Sequence, residues 1–96
     1  MTVREQVRVL RLEILQAAEA NGARRVRLFG SAARGQETRT SDVDVLVALE
    51  PGRTLLDLAR LEAHLERLLS RAVDVIPESG LREPFRSTVL RHAVDV

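Results

Sequence analysis

Asp42 and Asp44 stand two residues apart in Ser41-Asp42-Val43-Asp44-Val45-Leu46-Val47, a run otherwise rich in valine and leucine. A strand turns successive side chains to opposite faces, so both carboxylates project the same way, ~6.5 Å apart along the strand, and can converge on a point between them. Like charges so placed repel, and one takes up a proton unless a cation accepts both. Hard oxygen donors of this kind suit Mg²⁺ or Mn²⁺. Carboxylates lower the stability of an apolar strand, which argues for chemistry over filler. Asp74 repeats the theme in Val73-Asp74-Val75-Ile76. If that strand neighbours the first, three carboxylates line one surface, and three can hold two metal ions ~3.5–4 Å apart for in-line phosphoryl chemistry.

The second candidate is Gly30-Ser31, which closes the short apolar run Val26–Phe29 and opens a stretch able to form a helical turn, Ser31–Gly35. Glycine lets a phosphate come close to the backbone, and the free N–H groups of a helix start attract anions. The Ser31 hydroxyl adds a donor, and Arg34 is placed to neutralise a β- or γ-phosphate or else to brace the loop.

The elements that must position these residues follow from periodicity. Val3, Val7, Leu10 and Ile14 mark one face of an amphipathic helix over roughly residues 3–20, ended by Asn21-Gly22 with Gly22 in the left-handed cap position. Val26–Phe29 reads as a strand, residues 36–41 as a loop and Asp42–Leu49 as the best strand, broken by Glu50-Pro51-Gly52. Thr54 suits an N-cap for a helix whose Leu58, Leu61, Leu65 and Leu68 form a core stripe. Val73–Ile76 is a further strand. A last helix begins near Pro84 with Phe85, Val89 and Ala93 on its apolar face, and residues 93–96 return as an edge strand or fray. The order is helix, strand, loop, strand, helix, strand, helix: an α/β or α+β unit with one sheet, expected to form a single domain over residues 1–96. Ser41 is expected to serve a turn, His64 and His92 to be ordinary helix residues, Asp95 to be solvated, and Arg4, Arg8 and Arg11 to form the solvated face of the first helix.

Composition narrows the chemistry. There is no cysteine, which excludes a disulfide scaffold and a thiolate zinc site. Two phenylalanines are the only aromatic residues, so the core must be aliphatic. No signal segment is apparent and no run approaches the ~20 apolar residues of a membrane span, so the cytoplasm is the expected compartment. The net charge of +1 and the scarcity of aromatic platforms give no case for nucleic-acid binding.

The string Gly30-Ser31, ten residues, then Asp42-Val43-Asp44 resembles the Gly-Ser-x10-Asp-x-Asp signature of the DNA polymerase β-like nucleotidyltransferase superfamily. Gly-Ser-Ala-Ala-Arg-Gly and Ser-Asp-Val-Asp are similar to its minimal nucleotidyltransferase (MNT) branch, the MntA-like antitoxins of HEPN/MNT toxin–antitoxin pairs. With Asp74 as the later strand carboxylate, the likeness covers nearly the whole chain. The resemblance implies a small mixed sheet flanked by helices. It implies metal-binding and catalytic roles for Asp42, Asp44 and Asp74, with triphosphate contacts at Gly30 and Ser31 and a further nucleotide contact at Arg34. It also implies Mg²⁺ (two ions, or Mn²⁺) as cofactor, ATP as substrate, and a tyrosine of a helical HEPN-type toxin as the AMP acceptor. Two alternatives stay open: a binding module that silences its partner by contact alone, and transfer to a small molecule. The chain has little length for a second substrate-holding domain, so a partner or a second copy of the chain is expected to complete the site.

Overall fold

A computed structural model describes residues 1–96 as four strands and five helices in the order α1 (Val3–Val9), α2 (Arg11–Ala20), β1 (Ala23–Phe29), α3 (Gly30–Ala33), β2 (Val43–Leu49), α4 (Leu55–Leu69), β3 (Val73–Pro77), α5 (Phe85–His92) and β4 (Val94–Asp95). A 3₁₀ turn, Glu78–Gly80, leads out of β3. The strands form one mixed sheet in the order β3-β2-β1-β4. β1 runs antiparallel to both β2 and β4, whereas β2 and β3 are parallel. A parallel pair cannot be joined by a tight hairpin, and the fifteen-residue α4 supplies the crossover.

Alternation along the strands divides the sheet into two unlike faces. Val43, Val45 and Val47 of β2, Val26 and Leu28 of β1, and Val73 and Val75 of β3 pack with α2 and α4 in the main core. On the other face Phe29, Leu46 and Ile76 meet Leu81, Val89, Leu90 and Ala93 in a much smaller cluster under α5. The helical stripe on α4 is buried at Leu58, Leu61, Leu65 and Leu69, one residue beyond the position the leucine spacing suggests for its last member. A capping box starts this helix: the Thr54 hydroxyl accepts from the Leu56 N–H at 3.3 Å, and Asp57 accepts from the Thr54 N–H at 2.9 Å. The same helix protects the sheet. Glu66 and Glu62 accept the β3 N–H groups of Val73 and Val75 at 3.0 and 3.1 Å, occupying donors that an edge strand would otherwise leave open.

Several expectations are corrected. The first helix is two helices, with a break at Leu10 (φ −95°, ψ 14°). No Gly or Pro marks the break, and Leu10 N–H to Gln6 and Ile14 N–H to Leu10 still bond at 3.0 and 2.9 Å, so the apolar stripe passes through it uninterrupted. Strand β1 begins at Ala23 because pairing with β2 extends to Ala23–Leu49, beyond the apolar run. Asp42 lies one residue before β2. Phe85 is not on the buried face of α5 but 58% exposed, and Val89 alone of that helix is fully buried. Asp95 is exposed yet not merely solvated: Arg25 donates to both its oxygens at 3.0 and 3.2 Å. Residues 94–95 do form the edge strand, Gly22 does take positive φ (+77°), and the Ser41 hydroxyl does accept the Thr38 N–H in the loop before β2. No helix is long and apolar enough to cross a membrane.

Candidate active site

Registry places the two strand aspartates side by side. Asp44 of β2 is the direct partner of Asp74 in parallel β3 and of Phe29 in antiparallel β1, so Phe29, Asp44 and Asp74 form a row across three strands on the less covered face. Adjacent strands lie ~4.8 Å apart, which brings the two carboxylates together without any loop to position them. Asp42, of the same strand parity as Asp44, is exposed at the mouth of β2. None of the three forms an ion pair with an arginine, although the chain is rich in arginine and makes four such pairs elsewhere.

Asp44 is half-buried, and its carboxyl is pushed above the ordinary range, first by burial and then by the charges of Asp74 and Asp42, with Arg34 pulling weakly the other way. That is the electrostatic signature of a carboxylate lacking a counter-ion. Gly30 supplies its space. It stands at the end of β1 with φ +66°, and a Cβ there would lie 2.3 Å from the Asp44 carboxylate oxygen Oδ2. Two independent demands, backbone conformation and contact with Asp44, therefore fix glycine at this position. The single turn α3 that follows is pinned by buried Ala32 and Ala33, leaving Ser31 half-buried at its start. Arg34 is exposed and donates to Gln36 at 3.1 Å.

Asp44 sits where two chambers of one cleft meet. The larger, about 600 Å³, is lined by Asp44 and Asp74 with the apolar groups of Phe29, Ile76, Leu81 and Phe85. The smaller, about 290 Å³, is lined by Gly30, Arg34 and Asp44 with Thr88 and His92 of α5. Phe29, Asp44 and Phe85 belong to both. Of the residues singled out by sequence, Gly30, Arg34, Asp44 and Asp74 line the cleft, while Ser31 and Asp42 are not among its lining residues. Phe85, Thr88 and His92 were not legible as cleft residues. Their spacing of three and four on one helix face was the available signal, but read by hydropathy it points Phe85 into the core.

The acidic residues suit a hard divalent cation in type and in their lack of cationic partners. No three of the His, Asp and Glu side chains stand close enough to form a ready-made cage for one ion. Mg²⁺ does not require one: it is commonly held by one or two carboxylates, with water and substrate phosphates filling the remaining positions. The adjacent Asp44 and Asp74, open to a cleft, offer that arrangement.

Comparison with known proteins agrees with this geometry. The model of the nucleotidyltransferase domain family matches residues 11–96. The chain is 38% identical over 96 residues to the protein adenylyltransferase MntA of Thermococcus cleftensis, covering all of this chain and 97% of that one. It is similar to a solved protein proposed to be a minimal nucleotidyltransferase, with a TM-score of 0.88 and 48% identity over all of this chain and 97% of the other. It shares its fold with a chain of a toxin–antitoxin solved with AMP-PNP, with a TM-score of 0.74 and 21% identity over 86% of this chain and 68% of that one. A Gly-Ser turn that makes room for a strand carboxylate, and a second carboxylate registered beside it, thus occur on the matching fold, and the chain belongs to the nucleotidyltransferase domain family.

Proposed function

We propose that this nucleotidyltransferase moves AMP from ATP onto a hydroxyl of a partner protein, and that the two chambers of the cleft divide the work. The observation that carries the reading is the Asp44–Asp74 register at the boundary between them. Gly30 and Arg34 line only the smaller chamber, which suits the donor's phosphates. Asp74 lines only the larger chamber, which suits the acceptor. Asp44 faces both, where the α-phosphorus would lie.

In this reading Gly30 lets the triphosphate approach the backbone, and Ser31 and Arg34 add donors to its anionic oxygens. Asp74 orients the acceptor hydroxyl and takes its proton as the hydroxyl oxygen bonds to the α-phosphorus. The bond from that phosphorus to the bridging oxygen breaks, and pyrophosphate leaves with the electron pair. Asp44 and Asp74 would hold one Mg²⁺ or Mn²⁺, with Asp42 contributing to a second, and the bound cation supplies neutralisation of the charge on the reacting phosphate. Phe29, Ile76, Leu81 and Phe85 give the acceptor chamber an apolar lining that suits an aromatic acceptor, so the tyrosine of a helical HEPN-type toxin fits better than a serine. The name of the Thermococcus relative, a protein adenylyltransferase, supports AMP transfer to a protein.

The test is transfer of label from α-labelled ATP, with Mg²⁺, to the helical protein encoded beside this chain. Label on that protein with wild type and none with Asp42→Asn supports the reading. Silencing of the partner by unlabelled contact, unaffected by Asp42→Asn, contradicts it.

A further inference from the structure

We propose that His92, with Thr88 one turn before it, forms the second wall of the phosphate subsite and binds the β- and γ-phosphates of the donor from the side opposite Gly30. The inference rests on the reading of the smaller chamber as the donor site. Phe85, Thr88, Val89 and His92 follow one another at spacings of three, one and three, which places them on one face of α5. Val89 is buried against the Phe29–Leu46–Leu81 cluster and anchors that face to the sheet. Thr88 and His92, four residues apart and so neighbours on the helix surface, remain exposed and border the chamber together with Gly30 and Arg34.

These side chains have no other employment. Neither the Thr88 hydroxyl nor the His92 ring takes part in any of the side-chain hydrogen bonds or ion pairs of the structure, and Arg34 is engaged only by the neutral Gln36. The chamber therefore presents a guanidinium, an imidazole and a hydroxyl, all donors, against the single carboxylate of Asp44. A terminal diphosphate group, with its several anionic oxygens, is the ligand that uses such a set, and donors on two unconnected elements, α3 and α5, would grip it from both sides. An uncharged ligand would leave the guanidinium unused, and a cation would meet it directly.

Calorimetric binding in Mg²⁺ buffer to AMP-PNP, inorganic tripolyphosphate and AMP tests the assignment. His92→Ala should weaken AMP-PNP and tripolyphosphate roughly 10-fold, the loss of one charge-assisted hydrogen bond, and leave AMP unchanged. His92→Gln, which keeps an N–H donor, should recover most of that loss. Equal affinity of wild type and His92→Ala for AMP-PNP would overturn the assignment of His92 alone. A matching loss of AMP affinity would overturn it too, because a helix that had merely shifted would weaken both. Wild type that binds AMP-PNP no better than background would overturn the donor reading of the chamber, and the His92 assignment with it.

Discussion

The two faces of the sheet use the same strands for opposite purposes. Toward α2 and α4, Val43, Val45 and Val47 are no more than 2% exposed, and Leu61 and Leu65 close over them without a polar group among them. Toward α5, the alternate residues are Asp44 and Leu46 on β2 and Asp74 and Ile76 on β3, the cover is the eight-residue α5 with Leu81 beyond the 3₁₀ turn, and a cleft remains open above the aspartates. One face is packed throughout, whereas the other buries only the small Phe29–Leu46–Leu81–Val89 cluster and leaves its aspartates uncovered. The period of two along a strand lets a chain of this size do both: Val43 and Val45 pack while Asp44 between them faces the cleft. In the proposed reading Asp44 and Asp74 sit on the rigid scaffold itself, held by ladder hydrogen bonds, while Asp42, Gly30 and Arg34 lie at the strand ends and on the α3 turn.

Substitutions on the two faces should therefore fail in different ways. The largest effect expected is on transfer. Asp74→Asn should slow AMP transfer by about 10²-fold or more, the usual scale for loss of a proton acceptor, with little change in thermal midpoint because Asp74 is exposed. Steady-state transfer and a thermal melt on the same preparation separate the two. On the packed face, Leu61→Ala should cost about 3 kcal/mol in denaturant unfolding and leave the rate per folded molecule intact, since Leu61 is fully buried far from any polar group of the cleft. Smaller again is Thr54→Ala, which removes the hydroxyl half of the α4 capping box and should cost about 1 kcal/mol. The smallest is Phe85→Ser. A sequence reading that buries this ring predicts a large loss, but at 58% exposure the change in stability should stay within about 0.5 kcal/mol, while the acceptor's KM rises.

Much of the packed face was legible because its signals are local. Alternating valines give β2, leucines at three and four give α4, Thr54 marks its start, and Gly22 marks the end of α2. The candidate site was legible in part for the same reason: Gly30-Ser31 and Asp42-Val43-Asp44 lie within fifteen residues on consecutive elements. What could not be read is non-local. That β3 lies parallel beside β2 with Asp74 against Asp44 depends on how the α4 crossover packs, which no spacing along the chain encodes. The exposure of Phe85 follows from α5 approaching the sheet through Val89, so a hydrophobic residue one turn earlier points into a cleft instead of a core. The break at Leu10 has no residue signature at all.

The charge of the active face also makes a prediction about pH. Burial and two neighbouring carboxylates hold the Asp44 carboxyl above its ordinary range, so the folded chain, without metal, binds this proton more tightly than the unfolded chain does. The resulting penalty is absent below the ordinary carboxylate range. It grows as pH rises from there and is complete above the elevated folded value.

Asp44→Asn therefore gives the most direct single measurement, made as a denaturation midpoint and a transfer rate on the same metal-free and Mg²⁺-loaded samples. The metal-free variant should be more stable than wild type at pH 7, an advantage that disappears in acid, and should lose AMP transfer when Mg²⁺ is restored. A variant that is less stable at neutral pH, or that transfers AMP at the wild-type rate, would contradict the claim that this face gives up stability to hold reactive charge.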